Sequence, residues 1–410
     1  MDSSRLDNPQ SATSSANEKL MEQQMGKPSF QEWFCLEQGR TNFQIDPVRD
    51  REVLLGQPEW EEEINSRLRR AGILGTPVRL LWWGQFGIGK THRLHHTEYL
   101  IRKNGYRYYA CYVVASDLQE KTGFERLHYE LINSLGRAEI KRLVSSYLLK
   151  IKTNPGQVPS LKEICNNSAD VEAALQSFGG DLQNPKLPAW RFLCGLELRG
   201  NEMALAGVTK EQLDSSHDFS SVLAAIGKII RVETGNELIY LIDEAENLTK
   251  ITNKTAEARW QECLRSFLDI QHISVVITVG AERFQDMPRL LILADVVRRL
   301  QKDNYLHMEA YKLNDVTKFL EGLLRAWIDP SKRSRLEAAE GLAQTVPGYK
   351  PELFPFNEGA FRKFCDYAVV DPRTAKPSEI LNRLNTVAAE AYFRDQRVID
   401  QNLLTELGIA

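Results

Sequence analysis

The stretch "GQFGIGKT", from Gly84 to Thr91, decides the fold of this chain. It matches G-x-x-x-x-G-K-[ST], a pattern whose glycines let the backbone curl until its N–H groups point at phosphate oxygens. Lys90 brings a cation to the β- and γ-phosphates, and the hydroxyl of Thr91 suits Mg²⁺. The apolar run "VRLLWWG" leads into the loop and a helical pattern follows it, as this motif requires. The predicted nucleotide-binding residues are Gly84, Gln85, Phe86, Gly87, Ile88, Gly89, Lys90, Thr91 and His92.

Three histidines, His92, His95 and His96, come directly after the loop on the predicted helix. His92 and His96 are four residues apart and share a helix face, which is an accepted spacing for zinc. No Glu or Cys constellation completes such a site, and the HExxH pattern is absent. We therefore interpret these histidines as ordinary partly buried or surface side chains, with His92 as a contact near the nucleotide.

A second motif lies in "LIYLIDEAENL", residues 238–248. Apolar residues carry Asp243 and Glu244 to the end of a buried strand, where phosphate chemistry needs a metal-holding acid. The sequence predicts that Asp243 and Thr91 hold Mg²⁺ and that Glu244 orients or deprotonates the attacking water. The next apolar strand, "ISVVITVG", carries Thr278 near its tip. This threonine has two open interpretations, a contact to the γ-phosphate or the water, and a satisfied strand residue.

Composition excludes several classes of protein. The chain has 410 residues, a hydrophobic fraction of 42%, a charged fraction of 26% and a formal net charge of −3, which is typical of soluble proteins. No apolar run reaches the length of a membrane span, so no membrane partner is expected. The six cysteines are scattered without a CxxC pair and no signal peptide precedes them, which indicates reduced thiols in a cytoplasmic protein.

The pattern along the chain predicts an α/β fold. Strand and helix patterns alternate around the two motifs, which favours a parallel sheet between helical layers. We predict a disordered tail over 1–28, a three-layer P-loop ATPase domain over 29–312, and a helical domain over 313–410. Within the ATPase domain, residues 137–218 form a predicted helical insertion, which is a candidate protein-binding surface.

These residues together resemble the AAA+ P-loop ATPases, in particular the initiator-type branch. That branch contains origin-recognition ATPases, helicase loaders, transposition regulators and the related STAND signalling ATPases. "GQFGIGKT" is similar to the family's Walker A motif, "LIYLIDE" to Walker B, and Thr278 stands where the family carries sensor 1. "LLGQPEWEEEINSRLRRA" looks like the helix that helps to hold adenine. The resemblance implies Mg-dependent ATP hydrolysis, a C-terminal helical lid and a homo-oligomer.

The resemblance also assigns arginines. "LADVVRRLQKDNYLHMEAYKLNDVTKFL" is similar to the segment that gives an arginine finger to a neighbouring subunit, which implicates Arg298 or Arg299. "VDPRTAKPSEILNRLN" looks like the lid helix with sensor 2 and implies that Arg373 contacts the γ-phosphate. Each arginine could equally be a surface cation.

Three functions remain as hypotheses. In the favoured one, the protein is a nucleotide-driven switch within a multi-protein assembly, such as a bacterial defence or signalling complex. In the second, it is a DNA-associated regulator or loader of the transposition or replication type. In the third, it is a nucleotide-binding scaffold without turnover, which the intact Glu244 argues against. The net charge of −3 and the lack of a winged helix after the lid favour the first, because origin-recognition proteins usually carry such a DNA-binding domain.

Overall fold

The computed structural model describes residues 27–180 and 187–409. Nearly all of the predicted disordered tail, residues 1–26, lies outside the described residues. The described residues divide into two compact units, one within residues 45–310 and one formed by residues 27–44 together with 311–409.

The larger unit is built on five parallel strands. They are β1 (Arg79–Gly84), β2 (Tyr108–Val114), β3 (Glu237–Asp243), β4 (Ile273–Gly280) and β5 (Tyr305–His307). Their order across the sheet is β2-β3-β4-β1-β5, with every neighbouring pair parallel. The α/β class and the parallel sheet predicted from sequence are confirmed. Strand β5 was not predicted, because three residues are too short to show a periodic pattern.

Helices account for most of the remaining structure. In chain order they are α1 (Phe30–Trp33), α2 (Pro58–Leu74), α3 (Lys90–Lys103), α4 (Glu125–Asn133), α5 (Arg137–Thr153), α6 (Leu161–Ile164), α7 (Ala169–Gly180), α8 (Leu187–Leu193), α9 (Glu202–Ala206), α10 (Ser216–Thr234), α11 (Lys254–Leu268), α12 (Arg289–Ile292), α13 (Ala294–Leu300), α14 (Leu313–Trp327), α15 (Pro330–Glu340), α16 (Leu342–Thr345), α17 (Glu358–Ala368), α18 (Pro377–Phe393) and α19 (Gln401–Glu406). Short 3-10 helices cover Ala245–Lys250, Phe284–Asp286, Lys302–Asn304 and Pro351–Leu353.

The sheet is covered on both faces, which gives three layers. Alternate side chains of β3 point to opposite sides, so that Tyr240 and Ile242 enter one apolar cluster while Ile239 and Leu241 enter another. The second cluster is closed by α2 and α3, and the first by helices that include α10 and α11. Every residue of β4 is buried, because a parallel strand with helices on both faces has no solvent side.

The predicted helical insertion consists of α5 to α9 in its described part. Its buried side chains, among them Tyr147, Phe178 and Phe192, belong to the same apolar cluster as one face of the sheet. Helix α5 packs against both α7 and α10, and Ser145 donates a hydrogen bond to the carbonyl of Gly179. The insertion is therefore continuous with the core of the larger unit.

The smaller unit is helical, and its longest helices are α14 and α18. Helix α14 packs against α17, which in turn packs against α19. Helix α14 begins within one residue of the predicted "NDVTKFLEGLLRAW", because its amphipathic period is strong.

Residues 27–44 lie in this helical unit, whereas the sequence prediction placed residues 29–44 with the ATPase domain. Aromatic contacts explain their place. The ring of Phe30 lies 5.8 Å from that of Tyr392, and the guanidinium of Arg397 lies 3.6 Å from the Trp33 ring. Leu36 also forms a bridge with Ile328. Such contacts between distant parts of a chain leave no local pattern from which to predict them.

Candidate nucleotide-binding site

The glycine loop lies between β1 and α3, at the carboxyl edge of the sheet. Gly87 and Gly89 have φ angles of 81° and 91°, which side-chain-bearing residues rarely adopt. Gly84 is constrained by space instead, since an added Cβ would lie 2.6 Å from the carbonyl oxygen of Met308. The loop thus needs glycine at these three positions. Its last two residues, Lys90 and Thr91, begin helix α3, whose N-terminus favours an anion.

The side chain of Lys90 is buried within the glycine loop. Its Nζ donates hydrogen bonds to the carbonyl oxygens of Gly84 and Gln85, each at 3.0 Å. The ring of Phe86 covers the ammonium group at 5.3 Å and is itself 66% exposed. This geometry holds a positive charge at the mouth of the loop, where the sequence predicted it.

Asp243 forms the centre of the site. The hydroxyl of Thr91 donates to its Oδ2 at 2.6 Å, and the hydroxyl of Thr278 donates to its Oδ1. The backbone N–H of Glu244 also donates to Oδ1, at 2.9 Å. Asp243 is only 3% exposed, and a buried carboxylate is tolerated because such donors replace its lost water. The structure therefore brings together Thr91, Asp243 and Thr278, three of the predicted site residues.

Tyr112 is a residue of the site that sequence reasoning missed. Its hydroxyl donates to Oδ2 of Asp243 at 2.9 Å, and its ring stacks on His95 with 4.2 Å between centroids. Burial, and then the neighbouring Asp243, raises the pKa of Tyr112, so the hydroxyl stays protonated at neutral pH. The available signal in the sequence was a tyrosine hydroxyl near the carboxyl end of the strand pattern "YYACYVV". A tyrosine in a strand is, however, usually a packing residue.

Glu244 follows Asp243 with a left-handed backbone. Its φ of 58° and ψ of 33° are uncommon for a residue with a side chain. The side chain is exposed, and Nδ2 of Asn247 lies 3.4 Å from its Oε2 while donating to the carbonyl of Ala115 at 3.0 Å. Strained backbone of this kind is frequent at functional sites, where it aims a side chain outward. Glu244 thus presents a carboxylate to solvent directly beside Asp243.

The histidines of α3 hold the segment that precedes α2. Nε2 of His92 lies 2.7 Å from the carbonyl of Val53, and Nδ1 of His96 lies 2.7 Å from the carbonyl of Arg51. Since a carbonyl only accepts, each of these ring nitrogens carries the proton. Burial lowers the pKa of His92 and favours the neutral ring. Among the described residues, no group of three or more His, Cys, Asp or Glu side chains is arranged to hold a metal ion.

The predicted arginines differ in exposure, since Arg298 and Arg373 are exposed and Arg299 is partly buried. Arg299 forms two 2.8 Å hydrogen bonds to the carboxylate of Asp269, while its neighbour Arg298 on α13 is exposed. In the helical unit, the side chain of Arg373 is 81% exposed and pairs with Asp371 at 2.6 Å. Arg299 is thus already bound within its own chain, which leaves Arg298 as the more accessible of the two finger candidates.

The cysteines show no sign of nucleophilic chemistry. All six are buried free thiols. Burial raises the pKa of each of them, to about 11 for Cys35 and to about 12 for the other five. A thiol with such a pKa is protonated at neutral pH and is a poor nucleophile.

No model of a protein family matches the chain, and no curated protein matches its sequence. Solved structures do match over most of the chain. The Aeropyrum pernix ORC2 protein in its ADPNP–ADP complexes has 14% identity and a TM-score of 0.46, with 90% of this chain and 71% of that chain covered. Cdc6p from Pyrobaculum aerophilum has 12% identity and a TM-score of 0.46, with 87% and 67% covered. The Thermotoga maritima RuvB Holliday junction branch migration motor has 11% identity and a TM-score of 0.36, with 88% and 72% covered.

The fold and the site resemble those of the P-loop class of proteins, because a glycine loop and a buried carboxylate, Asp243, meet at the carboxyl edge of a parallel sheet. Within that class the chain resembles the initiator-type AAA+ ATPases, in its two motifs and in the helical unit that follows the sheet. None of the helices in the described part of the chain is both long and apolar enough to cross a membrane.

Proposed function

We propose that this protein binds ATP with Mg²⁺ and hydrolyses it. The observation that carries the proposal is the 2.6 Å hydrogen bond between Thr91 and Asp243, which joins the end of the glycine loop to the end of β3. A hydroxyl and a carboxylate at this place supply the hard oxygen ligands that Mg²⁺ prefers. The burial of Asp243 also suits a small ion that demands regular geometry.

Each side chain then has a role in phosphate transfer. The loop N–H groups and the positive end of α3 bind the phosphates, and Lys90 stabilises the charge that develops on the transferred group. Thr91 and Asp243 would hold Mg²⁺, which would supply positive charge to offset the negative charge of the phosphates. Glu244 orients the attacking water and accepts its proton. We assign Thr278 to the γ-phosphate side of the site, where it also fixes Asp243.

We further propose that ATP drives an oligomeric switch, with Arg298 or Arg299 facing a neighbour's nucleotide and Arg373 contacting the γ-phosphate. The exposure of Arg298 and Arg373 supports these roles, since a residue that reaches a second site must be accessible. Hydrolysis would then change contacts between subunits.

The insertion is proposed as the surface for a protein partner, in an assembly of the defence or signalling kind. Three large apolar side chains of the insertion are exposed, which supports this view. Their exposed fractions are 60% at Leu149, 50% at Leu187 and 47% at Leu205. Large exposed apolar side chains are common at protein–protein interfaces when they form a patch.

Light scattering after size exclusion tests the proposal, using wild type and Glu244→Gln with and without ATP and double-stranded DNA. Glu244→Gln should bind ATP, turn it over at least about 100-fold more slowly, and accumulate an ATP-dependent oligomer. Lys90→Ala, which should not retain nucleotide, is the matched control.

Other outcomes discriminate among the hypotheses. An ATP-dependent oligomer that also takes up DNA, with binding that weakens steeply with salt, would favour the DNA-regulator function. Nucleotide binding with equal turnover in wild type and Glu244→Gln would indicate a scaffold. A monomer under every condition would overturn the arginine-finger assignments.

A further inference from the structure

The carboxylate of Asp243 accepts hydrogen bonds on every side. Thr91 and Tyr112 donate to Oδ2, and Thr278 and the N–H of Glu244 donate to Oδ1. An ionised carboxyl group offers about four lone-pair positions, and two donors approach each of its oxygens here. Three of the donors belong to residues with an expected role in nucleotide chemistry. Tyr112 does not, and it lies on β2, a strand that carries no motif.

We propose that Tyr112 is a positioning residue for the magnesium site, and that it sets the preference for Mg²⁺ over larger divalent ions. This inference rests on the proposed Mg-dependent function. Tyr112 acts through Asp243. Its hydroxyl donates to Oδ2, which also accepts a hydrogen bond from Thr91, and so holds the carboxylate in one orientation. Mg²⁺ demands near-ideal octahedral geometry, whereas Ca²⁺ accepts flexible and bidentate carboxylates. A carboxylate that is prevented from rotating therefore favours Mg²⁺.

The surroundings of Tyr112 suit this role. Its ring stacks on the ring of His95, with 4.2 Å between the ring centroids and an interplanar angle of 30°. Its strand is held by β3 in a continuous register that pairs Tyr112 with Leu241 and Val114 with Asp243. The hydroxyl therefore reaches Asp243 from a rigid support, and groups that support metal ligands in this way strongly affect metal affinity.

A matched tyrosine lies on the same strand and the same face. Tyr108 is four residues from Tyr112, and its hydroxyl donates to the carbonyl of Leu68 at 3.4 Å, away from Asp243. Both rings pack against the cluster closed by α2 and α3. Tyr108→Phe thus removes a hydroxyl from the same layer without touching the carboxylate.

The test measures binding of a fluorescent ATP analogue as Mg²⁺ or Ca²⁺ is titrated, in wild type, Tyr112→Phe and Tyr108→Phe. In Tyr112→Phe the Mg²⁺ concentration at half-maximal binding should rise about 10-fold, with a smaller rise for Ca²⁺. Analogue affinity in EDTA should equal that of wild type. Tyr108→Phe should match wild type under all three conditions.

Several results would overturn the inference. Equal Mg²⁺ midpoints in wild type and Tyr112→Phe would do so, as would an equal loss of affinity in EDTA, which would indicate general damage to the loop. Absence of any Mg-dependent binding by wild type would instead overturn the proposed function and the inference together. If Tyr112→Phe fails to fold, His95→Gln removes the stacked ring and should raise the Mg²⁺ midpoint about threefold. An unchanged midpoint in that variant would also contradict the inference.

Discussion

The carboxyl edge of the sheet and the exposed arginines of the two units hold their charges in different ways. Asp243 is buried and receives hydrogen bonds from residues of four elements or turns, which satisfy it within one chain. Arg298 and Arg373 are exposed, and the ion pair of Arg373 joins residues two positions apart. Removing a donor from a buried charge leaves it unsatisfied, whereas an exposed pair contributes little. The difference teaches that the hydrogen bonds of Asp243 are complete within one copy of the chain, and that the roles proposed for the arginines require another contact.

The largest effect is expected at the loop. Lys90→Ala removes the cation that lies over the carbonyls of Gly84 and Gln85. Nucleotide affinity should fall at least about 100-fold, because the phosphates lose a charge in a partly buried site. Isothermal calorimetry measures this, and Lys141→Ala on the insertion is a matched control that should bind like wild type. Affinity within about threefold of wild type would contradict the assignment of the loop.

A buried histidine, His128, tests how burial affects a titratable side chain that makes no hydrogen bond to Asp243. His128 is fully buried, its Nε2 donates to the carbonyl of Leu193 at 2.8 Å, and burial lowers its pKa from 6.5 to about 4. The unfolded chain therefore binds a proton first, so stability is full above pH 6.5 and is lost as pH falls toward 4. This one group should contribute a loss of about 3 kcal/mol across that window.

Urea unfolding at several pH values measures this contribution. In His128→Gln the loss of stability between pH 6.5 and 4 should be smaller than in wild type by about that amount. The exposed His217→Gln is the control and should keep the wild-type profile. Parallel profiles in wild type and His128→Gln would show that the buried ring does not control the acid response.

A smaller effect is expected at Thr278. Thr278→Val keeps the shape of this fully buried side chain but removes the hydroxyl that donates to Asp243. The free energy of unfolding should fall by about 1–3 kcal/mol, since one carboxylate oxygen loses a buried donor. Chemical denaturation measures the change, and Mg²⁺ should reduce the difference if Asp243 holds the ion. A fully neutral substitution would mean that the carboxylate does not depend on this hydroxyl.

The smallest effect on folding is expected at the exposed Arg298. Arg298→Ala should change the thermal midpoint by no more than about 2 °C, because an exposed side chain contributes little to stability. Arg298→Ala should nevertheless reduce ATP turnover at high protein concentration, where subunits meet. Mixing it with Lys90→Ala should restore part of the activity, since one protein then supplies the arginine and the other the loop. Failure of this rescue would remove Arg298 as the finger.

The sequence predicted much of this site because its motifs are local. The loop from Gly84 to Thr91 has its conformation and its chemistry within eight adjacent residues, and the strand that ends at Asp243 shows an unbroken apolar run. Periodicity also located β1 to β4 and the long helices. It did not locate β5 or the packing of residues 27–44, because these depend on partners that are distant in sequence.

Thr278 and Tyr112 show the limit of such reasoning in another way. From sequence, Thr278 had two open interpretations and Tyr112 none that concerned function. In the structure, both hydroxyls donate to the same carboxylate. A strand pattern reports which side chains are buried, but not which neighbouring strand lies beside them.

The sequence alone therefore determined the phosphate loop, the acidic strand end and the α/β class, because each is encoded by residues close together along the chain. Only the tertiary structure decided that Tyr112, Asp243 and Thr278 share one cluster of hydrogen bonds. The physical reason is the parallel sheet, in which long crossover connections place distant segments side by side with their carboxyl ends at one edge. Helices pack on both faces of this parallel sheet. The order of its strands depends on that packing, and no single stretch of the chain encodes the order.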